Sequence, residues 1–171
     1  MIKAIAVFLL VAPAFAAAPK QTPAAPVPAQ ILTAKRVFIA NAGGDSAWYP
    51  YPEPAFTGGP DRAYNDFYAA VKAWGRYDLV GSPSDADLLL EIQFRVLPRV
   101  VRIGATPYFD SQLRLTIRDP RTQAALWGIA EQVDPANLLG NRDKNFDQAM
   151  TRVLGDLKRV DATRPAPAAS Q

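Results

Sequence analysis

The amino-acid sequence predicts an α+β fold, a two-layer sandwich in which two helices cover one face of a mixed sheet of about five strands. Three observations lead to this fold class. Two segments in the second half of the chain alternate between apolar and polar residues, as half-buried strands do. Two other segments, one on either side of them, repeat apolar residues at helical spacing. The length of 171 residues suits one domain, and the expected element order is β-α-β-β-β-β-α.

The first half of the predicted domain contains two strands separated by a helix. Lys35 to Asn41 is rich in branched and aromatic residues, which predicts the first strand. A helix is predicted from Asp61 to Trp74, and Gly75 suits a left-handed stop after it. The apolar face of this helix consists of Tyr64, Phe67, Val71 and Trp74. Tyr77 to Val80 predicts a short second strand, which the crossover helix makes parallel to the first.

The second half is predicted to be an antiparallel meander. The third strand, Asp87 to Leu97, and the fourth, Gln112 to Arg118, alternate with a period of two. Asp119-Pro120-Arg121-Thr122 has the residues of a turn, so Gln123 to Val133 returns as the antiparallel partner. The polar side of the third and fourth strands is expected to meet either water or a partner.

A final helix closes the predicted domain over the same sheet face as the first helix. Asn141 or Asp143 is expected to cap its amino terminus. Its apolar stripe consists of Phe146, Ala149, Met150, Val153, Leu157 and Val160.

The first sixteen residues resemble a secretory signal peptide. Lys3 supplies the positive start, Ile5 to Val11 the apolar stretch, and Ala14-Phe15-Ala16 a small-x-small cleavage site. A transmembrane anchor is the competing interpretation, but the apolar run is too short for it and Pro13 interrupts it. We therefore expect a periplasmic or secreted protein without a stable membrane anchor after cleavage.

Composition divides the chain into four parts. Residues 1–16 are the signal peptide, residues 17–30 a disordered linker rich in proline and alanine, residues 31–161 the single α+β domain, and residues 162–171 a disordered tail. Both end segments lack apolar periodicity, and they serve either as spacers or simply as frayed termini.

The absence of cysteine and histidine excludes many chemistries. The chain cannot form a disulfide, a thiolate nucleophile, a lipid-modified cysteine, a histidine-based triad or a histidine-bound metal. Loss of Lys3 with the signal leaves 18 basic against 16 acidic residues, so the mature chain carries a charge of +2. This balance is too even to indicate nucleic-acid binding. No cofactor is expected.

Three local patterns suggest chemistry, and each has a simpler structural explanation. Ser46 lies in a glycine-rich stretch that faintly resembles a hydrolase serine, but no histidine can activate it. Asp85 and Asp87 are spaced for a shared strand face, although a turn and a strand edge explain them better. The alternating acids and amides Asn141, Asp143, Asn145 and Asp147 start like a calcium loop but lack its glycine and final glutamate. No catalytic or metal-binding residue is therefore predicted.

Two features are candidates for an interaction surface. Four aromatic residues occur in the proline-rich loop 42–60, namely Trp48, Tyr49, Tyr51 and Phe56. Such rings bind sugars or peptides by stacking, although they can also pack back against the domain. Arginines are frequent in the meander, at positions 95, 99, 102, 114, 118 and 121, and Arg114 and Arg118 are the candidates for contact. The alternative is a solvated face on which Glu91 pairs with an arginine across strands.

Several short stretches of the predicted domain together carry a resemblance to known proteins. They are 37–43 (VFIANAG), 64–68 (YNDFY), 74–77 (WGRY), 84–88 (SDADL), 117–120 (IRDP), 126–127 (LW) and 141–147 (NRDKNFD). Through them the chain resembles a group of exported bacterial proteins of unknown function. More distantly, its element order resembles small periplasmic modules such as the amino-terminal domain of the Tol-Pal propeller protein and the curli-secretion lipoprotein fold. This resemblance implies binding or assembly in the periplasm.

The sequence thus favours an exported, non-enzymatic binding or assembly module of the cell envelope, acting on a protein or an envelope polymer. One alternative is a hydrolase that uses carboxylates alone on an envelope carbohydrate. Another is a subunit that pairs its edge strand with a further chain.

Overall fold

The computed structural model describes residues 25–45, 55–99 and 108–163, and their mixed five-stranded sheet with three helices confirms the α+β class. The helices are α1 (Ala29–Thr33), α2 (Arg62–Trp74) and α3 (Leu139–Ala162). The strands are β1 (Arg36–Gly44), β2 (Asp78–Leu79), β3 (Leu88–Arg99), β4 (Tyr108–Arg118) and β5 (Ala125–Val133).

The strand order is β2-β1-β3-β4-β5, so β2 lies at one edge of the sheet and the antiparallel meander begins at β3, which pairs with β1. β1 pairs in parallel with both β2 and β3. In this register Val37 lies opposite Leu79 on one side and Leu88 on the other. Asp87 fixes this parallel pair: its backbone N–H donates to the Arg36 carbonyl, and its carboxylate accepts from the N–H groups of Lys35 and Arg36. The pairs β3–β4 and β4–β5 are antiparallel, as expected.

The core lies between one face of the sheet and the helices α2 and α3. The inward positions of β3 and β4 are the apolar residues of the predicted alternation, and all are at most 1% exposed. They are Leu88, Leu90, Ile92, Phe94, Leu113, Leu115 and Ile117. Both helices direct their predicted stripes at this face, with Phe67 and Phe146 fully buried. Two helices on one face are thus confirmed.

The helix ends agree only in part with the prediction. Gly75 ends α2 in the left-handed conformation, with φ of 68°. The expected cap of α3 was wrong, because the helix begins at Leu139 with Leu138 before it and no side-chain cap. Asn141 and Asp143 lie within the helix, where the Asp143 carboxylate binds an arginine of α2 instead of the α3 backbone.

A short helix lies across the boundary predicted between the linker and the domain. Helix α1 contains Gln30, whose side-chain amide donates to the Asp87 carbonyl at 3.2 Å, and Ile31, which is fully buried. The predicted signal peptide and all but two residues of the predicted tail lie outside the described residues, as does most of the predicted linker. Among the helices described, none has the length and apolar character needed to cross a bilayer.

Candidate interaction face

The sheet face opposite α2 and α3, called here the outer face, carries the polar half of the alternation. On β3 and β4 its polar side chains include Glu91, Gln93, Arg95, Gln112, Arg114, Thr116 and Arg118, and the same alternation places Leu97 and the buried Leu89 and Asp110 on this face. Because strand residues alternate between faces, burial of the apolar set fixes these side chains on the other side. Arg95 and Arg114 are both exposed there.

Arg114 occupies the side of the outer face nearest β5. Its cross-strand neighbours are Gln93 on β3 and Ala130 on β5. Among the described residues, no hydrogen bond or ion pair holds its guanidinium. An open trough of about 200 Å³ is lined by Arg114, Thr116, Gly128 and Ala130, together with the Leu115 and Ile129 positions of the same strands. Gly128 has no side chain and Ala130 has only a methyl group, so neither blocks access to the Arg114 guanidinium. The guanidinium is therefore available to bind a carboxylate.

Arg118 lies on the same face but is already engaged. Its Nε donates to Glu91 Oε2 at 2.6 Å, and its Nη1 donates to the Gln123 carbonyl at 2.9 Å. The cross-strand pair expected for Glu91 is therefore present. Arg118 fixes the β4–β5 turn to β3, and it offers less free hydrogen-bonding capacity to a ligand than Arg114 does.

The structure divides the four aromatic candidates. Trp48, Tyr49 and Tyr51 lie outside the described residues, so their role in contact stays a prediction. Phe56 is 3% exposed and packs edge-on against Phe94, with ring centroids 4.7 Å apart. The placement of Phe56 on an interaction surface is therefore corrected: this ring belongs to the core, as the packing alternative had it.

A second, larger depression lies at the opposite end of the sheet from the β3–β4 hairpin connection. Its volume is about 510 Å³, and its lining includes Lys35, Asp87, Asp119 and Arg121. Two carboxylates in one cleft are what the hydrolase alternative requires, so their hydrogen bonds decide whether they fit that chemistry.

Both cleft carboxylates are held in the ionised form. The backbone N–H groups of Arg36 and Lys35 lower the pKa of Asp87. The backbone N–H of Arg121 does the same to the pKa of Asp119, at 2.8 Å, despite partial desolvation. A glycosidase needs one carboxyl group with a raised pKa to donate a proton to the leaving oxygen. This pair instead fixes a strand start and a turn.

The remaining sequence patterns also have structural roles where they are described. Asp85 ends the short 3-10 turn Pro83–Asp85 and is exposed, whereas Asp87 is bound to β1. Ser46 lies outside the described residues. Within the described ranges no group of three or more acidic residues is arranged to hold a metal ion. Asn145, from the calcium-like run, donates from its side-chain amide to the Asp134 carbonyl at 2.9 Å.

No protein-family model and no curated protein sequence matches the chain. Solved structures do match it. PelC from Paraburkholderia phytofirmans, solved as a dodecamer, is 15% identical over 77% of this chain and 91% of PelC, with a TM-score of 0.41. A Xanthomonas campestris protein of the family DUF330 is 16% identical over 84% of this chain and 91% of its own, with a TM-score of 0.43.

A third similar structure is an uncharacterised lipoprotein B from Nitrosomonas europaea. It is 8% identical over 84% of this chain and 90% of its own, with a TM-score of 0.37. Structurally similar chains thus include proteins of unknown function, and the resemblance to the Tol-Pal module remains a prediction.

One charged cluster was not predicted from the sequence. Arg62 on α2 is bound by three carboxylates, Asp66 on its own helix and Asp143 and Asp147 on α3. Burial lowers the pKa of Arg62, but these acids outweigh that effect and raise it above its ordinary value. The signal that could have revealed the cluster is an Arg–Asp pair four residues apart on one helix matched by an Asp–Asp pair four apart on the other.

Proposed function

We propose that this chain is an exported, non-enzymatic binding or assembly module of the cell envelope, which contacts a protein or an envelope polymer through the outer face of its sheet. The observation that carries the proposal is the exposed Arg114 guanidinium, free of any described partner, beside the trough over Gly128 and Ala130. An exposed arginine on the sheet face opposite α2 and α3 is suited to binding a group supplied by another molecule.

Two further points support a binding role. The carboxylates that could perform hydrolysis, Asp87 and Asp119, are ionised and serve the backbone. The signal-peptide pattern of residues 1–16, a sequence feature, supports export and a periplasmic or secreted location. Trp48, Tyr49 and Tyr51 are included in the proposal as a second contact region.

The proposal is tested by cross-linking in intact cells that express the full, affinity-tagged chain. Arg114→Glu reverses the free charge on the outer face, and Lys72→Glu is the matched control because Lys72 is exposed on the helix layer. We expect Arg114→Glu to reduce the cross-linked partner at least tenfold, as loss of a central interface arginine does, and Lys72→Glu to leave it unchanged.

Equal recovery with both variants would overturn the outer face as the contact surface. A third variant, Trp48→Ala with Tyr51→Ala, separates the two contact regions. Loss of the partner in this variant alone would transfer the contact to the aromatic segment, and unchanged recovery would remove that segment from the proposal.

A further inference from the structure

The outer edge of β5 has unpaired backbone groups that could bind a partner. Contacts of β3 with β1 fix the direction in which the N–H and C=O groups of β5 point. The Asp45 N–H donates to the Phe94 carbonyl at 3.1 Å, and the Val96 N–H donates to Asp45 Oδ2 at 2.7 Å. Phe94 and Val96 therefore direct their backbone groups toward the β1 side of β3. Because N–H and C=O directions alternate along a strand, Gln93 and Arg95 direct theirs toward β4.

The same alternation carries across the sheet. Gln93 faces Arg114, so Arg114 directs its backbone groups toward β3 and Leu115 directs its own toward β5. Leu115 faces Ile129, so Ile129 points back at β4. The N–H and C=O groups of Gly128 and Ala130 consequently point away from the sheet.

An independent contact confirms this direction. Gln132 belongs to the same alternate set as Gly128 and Ala130, and its carbonyl accepts from Nη2 of Arg152 on α3. Arg152 also binds Glu131 at 2.7 Å, so it closes one end of the edge. The edge is thus covered at Gln132 and open at the two small residues before it.

The open part of the edge lacks the usual protection against strand addition. The segment Leu126–Ala130 contains no charged residue and no proline, and no strand in the described residues pairs with its outer side. An unpaired, neutral edge of this kind accepts an additional strand through backbone hydrogen bonds.

We propose that this edge binds an extended peptide segment as a sixth strand, and that Arg114 binds an acidic side chain of that segment. An added strand would lie about 10 Å from β4, two strand spacings away. An extended arginine side chain and a glutamate side chain are together long enough to span this distance. Ala130 lies between the two positions and does not block the contact, because its side chain is only a methyl group. The inference rests on the proposed function and gives its partner a chemical class.

Charge selects this occupant over a second copy of the chain. Glu91 and Glu131 are already paired with Arg118 and Arg152, whereas Arg114 has no ion-pair partner among the described residues. Antiparallel pairing of two β5 strands through Leu126–Ala130 would bring no carboxylate to either Arg114, since this segment has none. A partner strand with an acidic residue supplies backbone hydrogen-bond partners to the edge and a carboxylate to Arg114.

The test uses protein purified from cells that express the full chain and a labelled seven-residue peptide of alternating threonine and valine with a central glutamate. Its counterpart has glutamine at the centre. We expect the glutamate peptide to bind at least tenfold more tightly than the glutamine peptide. Arg114→Gln should remove this difference, whereas Arg95→Gln, the matched control on the same face, should preserve it.

Strand pairing itself is tested in two ways. Ala130→Pro removes an N–H that faces the free edge without breaking the β4–β5 ladder, and it should abolish binding of both peptides. Methylation of alternate peptide nitrogens gives a readout that does not depend on this variant folding. A peptide methylated along one edge should keep its affinity and a peptide methylated along the other should lose it, whereas equal binding of the two would overturn strand addition.

The remaining outcomes separate this inference from the proposed function. Failure of the glutamate peptide to bind, with Arg114→Glu still reducing cross-linking in cells, overturns the acidic strand and leaves the binding face standing. If the glutamate peptide does not bind and Arg114→Glu does not reduce cross-linking, both the acidic strand and the proposed binding face are overturned. A concentration-dependent dimer seen by light scattering, abolished by Ala130→Pro and unaffected by the glutamate peptide, would make a second copy the occupant and overturn the proposed partner.

Discussion

Arg62 joins helices α2 and α3 to the segment before α2, and Arg62→Ala tests whether this cluster stabilises the domain. The guanidinium donates to Asp143 and Asp147 at 2.6 Å each, and its side chain is only 14% exposed. It also lies over the Phe146 ring, 4.6 Å from the centroid, and donates to the Thr57 carbonyl at 3.1 Å. Removal would leave carboxylates facing one another without a cation.

The exposure of each acid sets the size of the effect. Asp66 and Asp147 are 43% and 63% exposed, so each pair contributes at most about 0.5 kcal/mol. Asp143 is 23% exposed and also accepts from the Thr57 N–H, so losing its charged hydrogen bond costs about 1.5–3 kcal/mol. The contact with Phe146 contributes about 1 kcal/mol. Arg62→Ala should therefore lower the free energy of unfolding by about 2.5–5 kcal/mol, close to the cost of removing one member of a buried pair.

Urea unfolding followed by tryptophan fluorescence and far-UV circular dichroism measures this loss. With a slope of about 2 kcal/mol per molar urea, the midpoint should fall by about 2 M. Arg159→Ala is the control, because Arg159 is 78% exposed and pairs with Asp156 on its own helix. Its effect should stay below about 0.5 kcal/mol. Equal midpoint shifts for the two variants would refute the stabilising role of the Arg62 cluster.

Three further substitutions test other parts of the structure. Phe56→Ala should lower the free energy of unfolding in urea by about 3–5 kcal/mol because the ring is buried. If this decrease is no larger than that of Tyr68→Ala, a change at an exposed ring, Phe56 does not belong to the core. The pKa of Asp87 is lowered in the folded state, so its stabilisation is present above its unfolded pKa of about 3.9 and is lost as the pH falls through the folded value. Wild-type protein should lose more stability than Asp87→Asn between pH 5 and about pH 2.5, and parallel losses would contradict this assignment. Gly75→Ala should cost about 1 kcal/mol from its positive φ alone, since no atom outside the adjacent backbone lies within 4 Å of the added Cβ. A neutral result would show that α2 does not need this left-handed stop.

Local pattern predicted the elements well, because their causes lie in neighbouring residues. The alternation of β3 and β4 follows from burial of one face, and Gly75 follows from the backbone conformation at a helix end. The place of β3 in the sheet depends instead on Asp87 binding the backbone of β1, a contact across 51 positions that no local pattern contains.

The candidate site was predictable to a similar degree. Alternation placed Arg114 and Arg118 on the outer face, but which of them is engaged depends on Glu91 and on the β4–β5 turn. Phe56 was misplaced because a proline- and glycine-rich loop gives no apolar periodicity, and its burial depends on Phe94 and on the final helix. The missed cap of α3 has the same origin, since Asp143 binds Arg62 from another helix.

The interior position of β1, between β2 and β3, sets an order of assembly for the sheet. β3, β4 and β5 are joined by connections of residues 100–107 and 119–124, so the meander can nucleate from nearby chain and then serve as the template on which Val37 and Ile39 dock. Pulsed hydrogen exchange should therefore protect amides of β4 and β5 before those of β1. In a chain that crosses a membrane amino terminus first, β1 would emerge before β3, β4 and β5. It would therefore stay unpaired until the carboxyl-terminal half had crossed and formed the meander.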